Sequence, residues 1–512
     1  MFDPNSRPPL STVFDPPPIS LKNSLILGFC LNDPQSRTKP ENMAQIRPDV
    51  TPNDPVHEQP AIGLIGMGGM GNMYAKFLSA AGWKKIYVCD VPTKYEALKE
   101  KYAGNPNITV VKDGHAVSRI SDWIMYSVEA EFIDRVVAEY GPSTKMGAIV
   151  AGQTSVKTPE KAAFEKHLPD DVHIVSCHSL HGPTVSPLGQ PLVLIKHRAP
   201  DSALQLVENI LKPLQSRYVY LSYEDHDIVT ANTQAVTHAA FLSMGTAWAS
   251  EQSYPWEHGY YVKGIETVKV NIMLRIYSNK WHVYAGLAIL NPSARIQIDQ
   301  FARSTTEIFK LMLAQDDAGL RKRIYESRDI VFGSGTTNGR AEQNGVENRA
   351  PILLSEDIFD KFSLGKPHAN GSPPTSPTTG APPANSHLSL LAMVDCWARL
   401  GIQPFVHLEL AATPLFRMWI GVAEYLFRDQ DRLDSAIHAA LYDVSHRSDD
   451  LEFAIAARGW SQCISFGSFD LYKDRFSQTA SFFQSRFEDA TKLGSAMIQA
   501  IMESSPDVKP SS

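Results

Sequence analysis

The chain has 512 residues, 43% of them hydrophobic and 20% charged, with a formal charge of −7. That length suffices for two or three domains with a large core, and the acidic balance lacks the basic footprint of a nucleic-acid partner. The longest early apolar run, "SLILGFCL" at 24–31, is too short to span a membrane.

Residues 1–57 are rich in Pro, Asn and Asp, as in "FDPPP" and "RPDVTPNDP", and are expected to be a disordered tail that does not resemble a signal peptide. From 61 to 222 short β-branched runs alternate with helical patterns: "AIGLIG", "KIYVCD", "ITVV", "DWIMYSV", "GAIVAG", "HIVSCH", "PLVLIKH" and "YVYLS". Such alternation implies βαβ units and a mainly parallel sheet.

The first run enters Gly66-x-Gly68-x-x-Gly71, a helical pattern follows, and "KIYVCD" ends in Asp90, 19 residues after Gly71. Each part has a physical role in holding a dinucleotide. Gly66 permits the tight turn, Gly68 lets the backbone approach a pyrophosphate, and Gly71 lets the helix pack on the strand. Asp90 stands where an acid can bind a ribose hydroxyl, which leans toward NAD. Thr93 and Lys94 could instead serve a 2′-phosphate, and no arginine stands beside Asp90.

Ligands of such a sheet collect outside the carboxyl ends of its strands. There "DWIMYSV" delivers Ser127 and Glu129, "GAIVAGQTSVK" delivers Thr154, Ser155 and Lys157, and "HIVSCH" delivers His178. A histidine here suits proton transfer from a hydroxyl that becomes a carbonyl; a residue that merely caps the strand competes with that reading. His178 and His181 lack a nearby carboxylate or cysteine of ligand spacing, so no metal site is expected.

From 225 helices dominate. His226, Thr230, Thr233 and Thr237 make one polar stripe, and Gln234 and His238 a second polar pair. Asn271, Arg275, Asn279 and His282 make a stripe on "VKVNIMLRIYSNKWHVYAGLAIL", read as one helical run up to Asn291-Pro292. A solvated face is the simplest account of such stripes, although Arg275 could grip a carboxylate in two-pronged fashion. The Pro/Gly/Ser/Thr segment 365–386 is expected to be a flexible insertion, and helical text resumes to about 503. The five cysteines, Cys30, Cys89, Cys177, Cys396 and Cys463, form no CxxC pair, which favours a reducing compartment.

The blocks "GLIGMGGMG", "GQTSVK", "SLHGPTVSPLGQPLVLIKHR", "EDHDIVTANTQAVTHAAFLSMGTAWA", "VKVNIMLRIYSNKWHVYAGLAILNPSA" and "NSHLSLLAMVDCWARLGIQP" together resemble the prephenate dehydrogenase family, in its long fungal, NADP-linked branch. The resemblance implies hydride transfer from prephenate to NADP with loss of CO2, giving 4-hydroxyphenylpyruvate on the way to tyrosine. By resemblance, His178 is the catalytic acceptor for the C4 hydroxyl and Ser155 orients it. His238 lies near cofactor and substrate, His226 at the domain junction, and Arg275 on a substrate carboxylate. The resemblance also implies a homodimer in the cytoplasm, with neither nucleic acid nor membrane as a partner. Arogenate dehydrogenase is the alternative enzyme, and a catalytically inactive NADP-sensing protein the alternative from another class. The expected architecture is α/β: an N-terminal Rossmann-type doubly wound parallel sheet over 58–224, then an all-α C-terminal domain over 225–505.

Overall fold

A computed structural model describes residues 46–333, 352, 361–365, 374–378, 380, 383–411 and 413–504. All eight expected strands form: β1 Ile62–Ile65, β2 Ile86–Cys89, β3 Ile108–Val110, β4 Trp123–Tyr126, β5 Ile149–Gly152, β6 His173–Ser179, β7 Pro191–Lys196 and β8 Arg217–Tyr220. They make one sheet in the order β3-β2-β1-β4-β5-β6-β7-β8. Every pairing is parallel except β6 with β7.

The runs are continuously apolar because helices cover both faces. Along each strand the side chains alternate: Leu64, Val88 and Met125 join the core on one face, and Ile65, Ile124 and Val150 join that on the other. Ile65 is in register with Cys89 and with Tyr126, which pairs with Gly152. The carboxyl ends of four strands therefore finish at one edge, and the strand order reverses at β1. The helices between strands are α1 Gly69–Ala80, α2 Tyr95–Tyr102, α3 Gly114–Ile120, α4 Ile133–Tyr140, α5 Thr158–His167 and α6 Asp201–Leu211.

The all-α region begins with α7 Tyr223–Thr230, capped by Ser222. It runs through a π-helical turn, Ala231–Ala235, into α8 Val236–Ser250. Next come α9 Ile265–Tyr277, α10 Trp281–Leu290, α11 Pro292–Ala314 and α12 Asp317–Phe332, and helices continue to Ser504. The third and largest apolar cluster fills this region. None of the described helices is long and apolar enough to cross a membrane.

Three expectations are corrected. The run 268–290 is two helices, because the side chains of Ser278 and Asn279 donate back to the carbonyl of Arg275 (2.8 Å each) and end the first. Asn271 is buried and donates to the carbonyls of Thr267 and Phe362, while His226, Thr230, Thr233 and Thr237 are all buried. Neither row is a solvated face.

The tail does not extend to 57. Val50 is fully buried against the sheet core, Asn209 donates to the carbonyl of Pro48 (2.6 Å), and Gln59 donates to those of Pro52 and Asp54. Residues 1–45 lie outside the described residues. The segment 365–386 is anchored where it is described: Ser376 and Ser386 are buried, and Ser386 donates to Asp450 (2.9 Å).

A chain beginning at Glu58 should therefore be less stable than one beginning at Ile46. Exposing the contacts of Val50 alone corresponds to roughly 1.5–3 kcal/mol. A urea midpoint that falls on this deletion is expected; equal midpoints would show that residues 46–57 contribute nothing.

Candidate active site

The glycine loop is built as a phosphate cradle. Gly66 has φ +97°, and a Cβ there would meet the Ser127 carbonyl at 2.4 Å. A Cβ at Gly71 would meet the Gly66 carbonyl at 2.1 Å, whereas one at Gly68 would meet nothing within 4 Å. Two glycines are thus demanded by packing, and the third faces open space that a ligand can approach. Helix α1 starts at Gly69 with no side-chain cap, which leaves its first N–H groups for an anion. Asn72, which the motif does not specify, donates to the carbonyls of Met67 and Gly68 (2.6 and 2.7 Å) and holds the loop.

The Asp90 carboxylate accepts from the Met67 and Val91 amides (3.0 and 2.7 Å) and from the Lys94 ammonium (3.0 Å). It is already engaged, and Lys94 offsets its charge. These residues fit a dinucleotide.

Under the ends of β5 and β6 lies a buried ion pair. The Lys157 ammonium donates to both Glu160 oxygens (2.9 Å) and to the carbonyls of Gly152 and Cys177 (3.0 Å each). Both side chains have no exposed surface. Thr154 donates its hydroxyl to Glu160 (2.5 Å), and Ser176 also bonds it. A second cluster ties α1 to the same edge: the Tyr74 hydroxyl donates to Gln153 (3.0 Å) and shares a 2.6 Å bond with Ser179.

His178 stands at the end of β6, buried. Its Nδ1 lies 2.8 Å from Nε2 of His226, whose Nδ1 lies 3.0 Å from the Asp227 carboxylate. Asp227 also accepts from the amides of Lys157 and Thr158 (2.6 and 2.7 Å) and from the Thr158 hydroxyl (2.6 Å). Those bonds hold its pKa below the usual carboxylate value despite burial.

Burial pushes the pKa of His178 well down, helped by His226 and Lys157, and burial likewise lowers that of His226. Both rings are then neutral, and one tautomer assignment satisfies the chain. His226 donates Nδ1–H to Asp227 and accepts the Nδ1–H of His178. Nε2 of His178 is left as a bare acceptor.

Ser155 sits half-buried in the turn between β5 and α5, but the described bond that orients His178 comes from His226, not from Ser155. His181 bonds the Gly182 carbonyl, and its Nε2 is buried without a partner.

The helical side adds polar groups without partners. Gln234 Nε2 and His238 Nδ1 are buried and unbonded. The His238 ring meets Tyr284 edge-on at 4.7 Å, and burial pushes its pKa down to about 3. Arg275 ends α9; its Nη1 donates to Ser495 at 3.3 Å, and it forms no ion pair among the described residues. His282, on α10, lies 3.3 Å from Glu129, which brings that helix to the end of β4. Among the described residues no group of three or more His, Cys, Asp or Glu is placed to hold a metal ion.

Lys157→Met would strand the Glu160 charge in the core and should cost about 3–5 kcal/mol. Adding Glu160→Gln should recover part of that loss in urea denaturation. A double variant as unstable as the single one would show that the stranded charge is not the cause.

Comparison with known proteins divides the chain at the same place as the fold. A family of 6-phosphogluconate dehydrogenase C-terminal domains, of the type found in tyrosine-pathway dehydrogenases, matches residues 235–503, and "NADP oxidoreductase coenzyme F420-dependent" matches 61–151. A probable prephenate dehydrogenase [NADP(+)] of Schizosaccharomyces pombe is 50% identical over 442 residues, which is 86% of this chain and 97% of that protein. The prephenate dehydrogenase [NADP(+)] of Saccharomyces cerevisiae is 50% identical over 450 residues, 87% of this chain and 95% of that protein. Among solved structures, the prephenate dehydrogenase of A. aeolicus with hydroxyphenyl propionate and NAD+ aligns at 18% identity and TM-score 0.43, covering 52% of this chain and 94% of that one. Half-identity to two relatives spanned almost end to end places this chain in the prephenate dehydrogenase family.

Proposed function

We propose that the chain catalyses the oxidative decarboxylation of prephenate to 4-hydroxyphenylpyruvate with reduction of NADP, a step toward tyrosine. The observation that carries the mechanism is the chain Asp227–His226–His178, which leaves Nε2 of His178 as an acceptor at the edge where the glycine loop opens. Bound NADP+ accepts the hydride that leaves C4.

The C4 hydroxyl donates to Nε2 of His178, which draws off the proton as C4 becomes electron-poor. Asp227 stabilises the positive charge that then spreads over the two rings. CO2 leaves C1, its bonding electrons complete the aromatic ring, and the C4 oxygen ends as a phenol. Arg275, with no carboxylate partner among the described residues, grips a carboxylate of the substrate. His238 and Gln234 supply the buried polar groups that face it, and Ser155 lines the turn beside His178.

Gly66, Gly68 and Gly71 carry the pyrophosphate. Lys94 and the exposed Thr93 meet the 2′-phosphate, since Lys94 neutralises the carboxylate that would repel it. A homodimer in the cytoplasm completes this reading. Its supports are the family resemblance and four described cysteines, Cys89, Cys177, Cys396 and Cys463, that are free thiols.

His178→Asn should lower kcat by roughly 10²–10⁴-fold with KM little changed, as for loss of a general base. Arg275→Gln should mainly raise KM for prephenate and leave cofactor affinity alone. The active form of His178 is neutral and its pKa is depressed, so wild-type kcat/KM should fall only well below pH 6.5, the ordinary histidine value. An acid limb at or above that pH, or a His178→Asn enzyme of near-normal kcat, sinks the mechanism. Parallel turnover of arogenate decides between the two substrates.

Cofactor choice tests Lys94. Lys94→Ala should shift kcat/KM from NADP toward NAD by about tenfold, equivalent to about 1.4 kcal/mol, because it removes a cation and releases the Asp90 carboxylate. An unchanged ratio would remove Lys94 from the 2′-phosphate site.

A further inference from the structure

The helical region holds a second polar cleft, and none of the residues assigned above to the reaction lines it. Its volume is about 420 Å³, and Thr246, Gln252, Arg475, Gln478, Thr479 and Phe482 are among its lining. That is the size of sites for small organic molecules.

Arg475 lies on the helix Phe469–Phe483 in a prepared seat. Its guanidinium carbon is 5.0 Å from the centre of the Trp460 ring, a favourable cation–π distance. A Cβ at Gly459 would come within 2.5 Å of its Nη2, so the neighbouring helix is bare where the guanidinium rests. Yet the Nε–H is buried with no acceptor, and Arg475 forms no ion pair among the described residues. The other cations held in this interior differ: Lys269 has Glu266, and Arg323 has Asp395. A permanent cation held in place with a buried donor unmet is costly unless something supplies the acceptor.

The surroundings state what kind of acceptor. No protein carboxylate lines the cleft. The planar fork of arginine matches a carboxylate. The hydroxyls of Thr246 and Thr479 lie 3.5 Å apart, and Trp460 donates to Thr246 (2.9 Å), which fixes that pair beside the guanidinium. Phe482, stacked on Tyr254 at 4.6 Å, supplies an apolar wall.

We propose that this cleft binds a small aromatic carboxylate, with the carboxylate on Arg475 and the threonine hydroxyls and the ring against Phe482. The site is separate from that of Arg275 and does not depend on the reaction proposed.

The test uses the full chain carrying Arg275→Gln, so that the other arginine does not contribute. Calorimetric titration with benzoate is compared with inorganic phosphate at matched ionic strength. One saturable benzoate site per chain is expected. Arg475→Gln should weaken it at least tenfold, Arg475→Lys by less, and phosphate should bind more weakly. If Arg475→Gln fails to fold by circular dichroism, Thr479→Val replaces it and should weaken benzoate at least threefold. No benzoate binding, binding unchanged by these substitutions, or phosphate bound as tightly as benzoate overturns the proposal.

Discussion

The carboxylate of Asp227 is the constraint on which the site depends. It accepts four hydrogen bonds, from the amides of Lys157 and Thr158, the Thr158 hydroxyl and His226. A buried charge is tolerable only when its acceptor positions are filled in this way. The two amides open helix α5, so the charge also lies where a helix dipole favours it. Asp227 itself belongs to α7, the first helix after the sheet. One group therefore docks the helical region on the strand edge and orients the base. The Asn291 side chain reinforces the joint, donating to the Asp227 carbonyl (2.8 Å) and capping α11 with its oxygen.

Beneath this lies the Lys157–Glu160 pair. Its ammonium bonds the last carbonyl of β5 and that of Cys177, next to the base. A pair without solvent contributes little net stability compared with an apolar one. What it does is fix the spacing of two strand ends through five donor–acceptor contacts of the ammonium. A positive charge held there also disfavours a second one on His178. The same residues that align the strands thus keep the imidazole neutral, which is the state a base requires.

The parts of the site readable in the sequence were those whose chemistry is local. The glycine loop needs three glycines at fixed spacing between a strand and a helix, and the three show the distinct crowding that spacing implies. The eight strands were readable because a strand covered on both faces is a continuous apolar run. Asp227 was not, because its partner His178 lies far away in the sequence and only the folded chain joins them. Lys157 and Glu160 read as surface charge, since charged residues are seldom fully buried. Asp90 read as a ribose ligand, because nothing local shows that Lys94 and two amides already hold it. The break at Ser278–Asn279 depended on side chains turning back to one carbonyl, and periodicity does not register that. In the tail, one buried valine among prolines gave too little apolar pattern to mark an ordered segment.

The connection between β6 and β7 joins the two halves of the chemistry. It begins just after His178, and its Pro183 packs so near the glycine loop that a Cβ on Gly69 would lie 2.8 Å from the proline ring. The antiparallel return of β7 makes this possible. A parallel crossover would carry the chain to the opposite edge of the sheet, whereas the tight return keeps residues 180–190 at the edge where a ligand sits. The base and the phosphate loop are thereby neighbours through one short segment as well as through the sheet. A ligand that orders the glycine loop must act on that segment, and through it on the residue that takes the proton. The lone antiparallel strand pair in an otherwise parallel sheet is therefore part of the machinery that brings the reacting groups together.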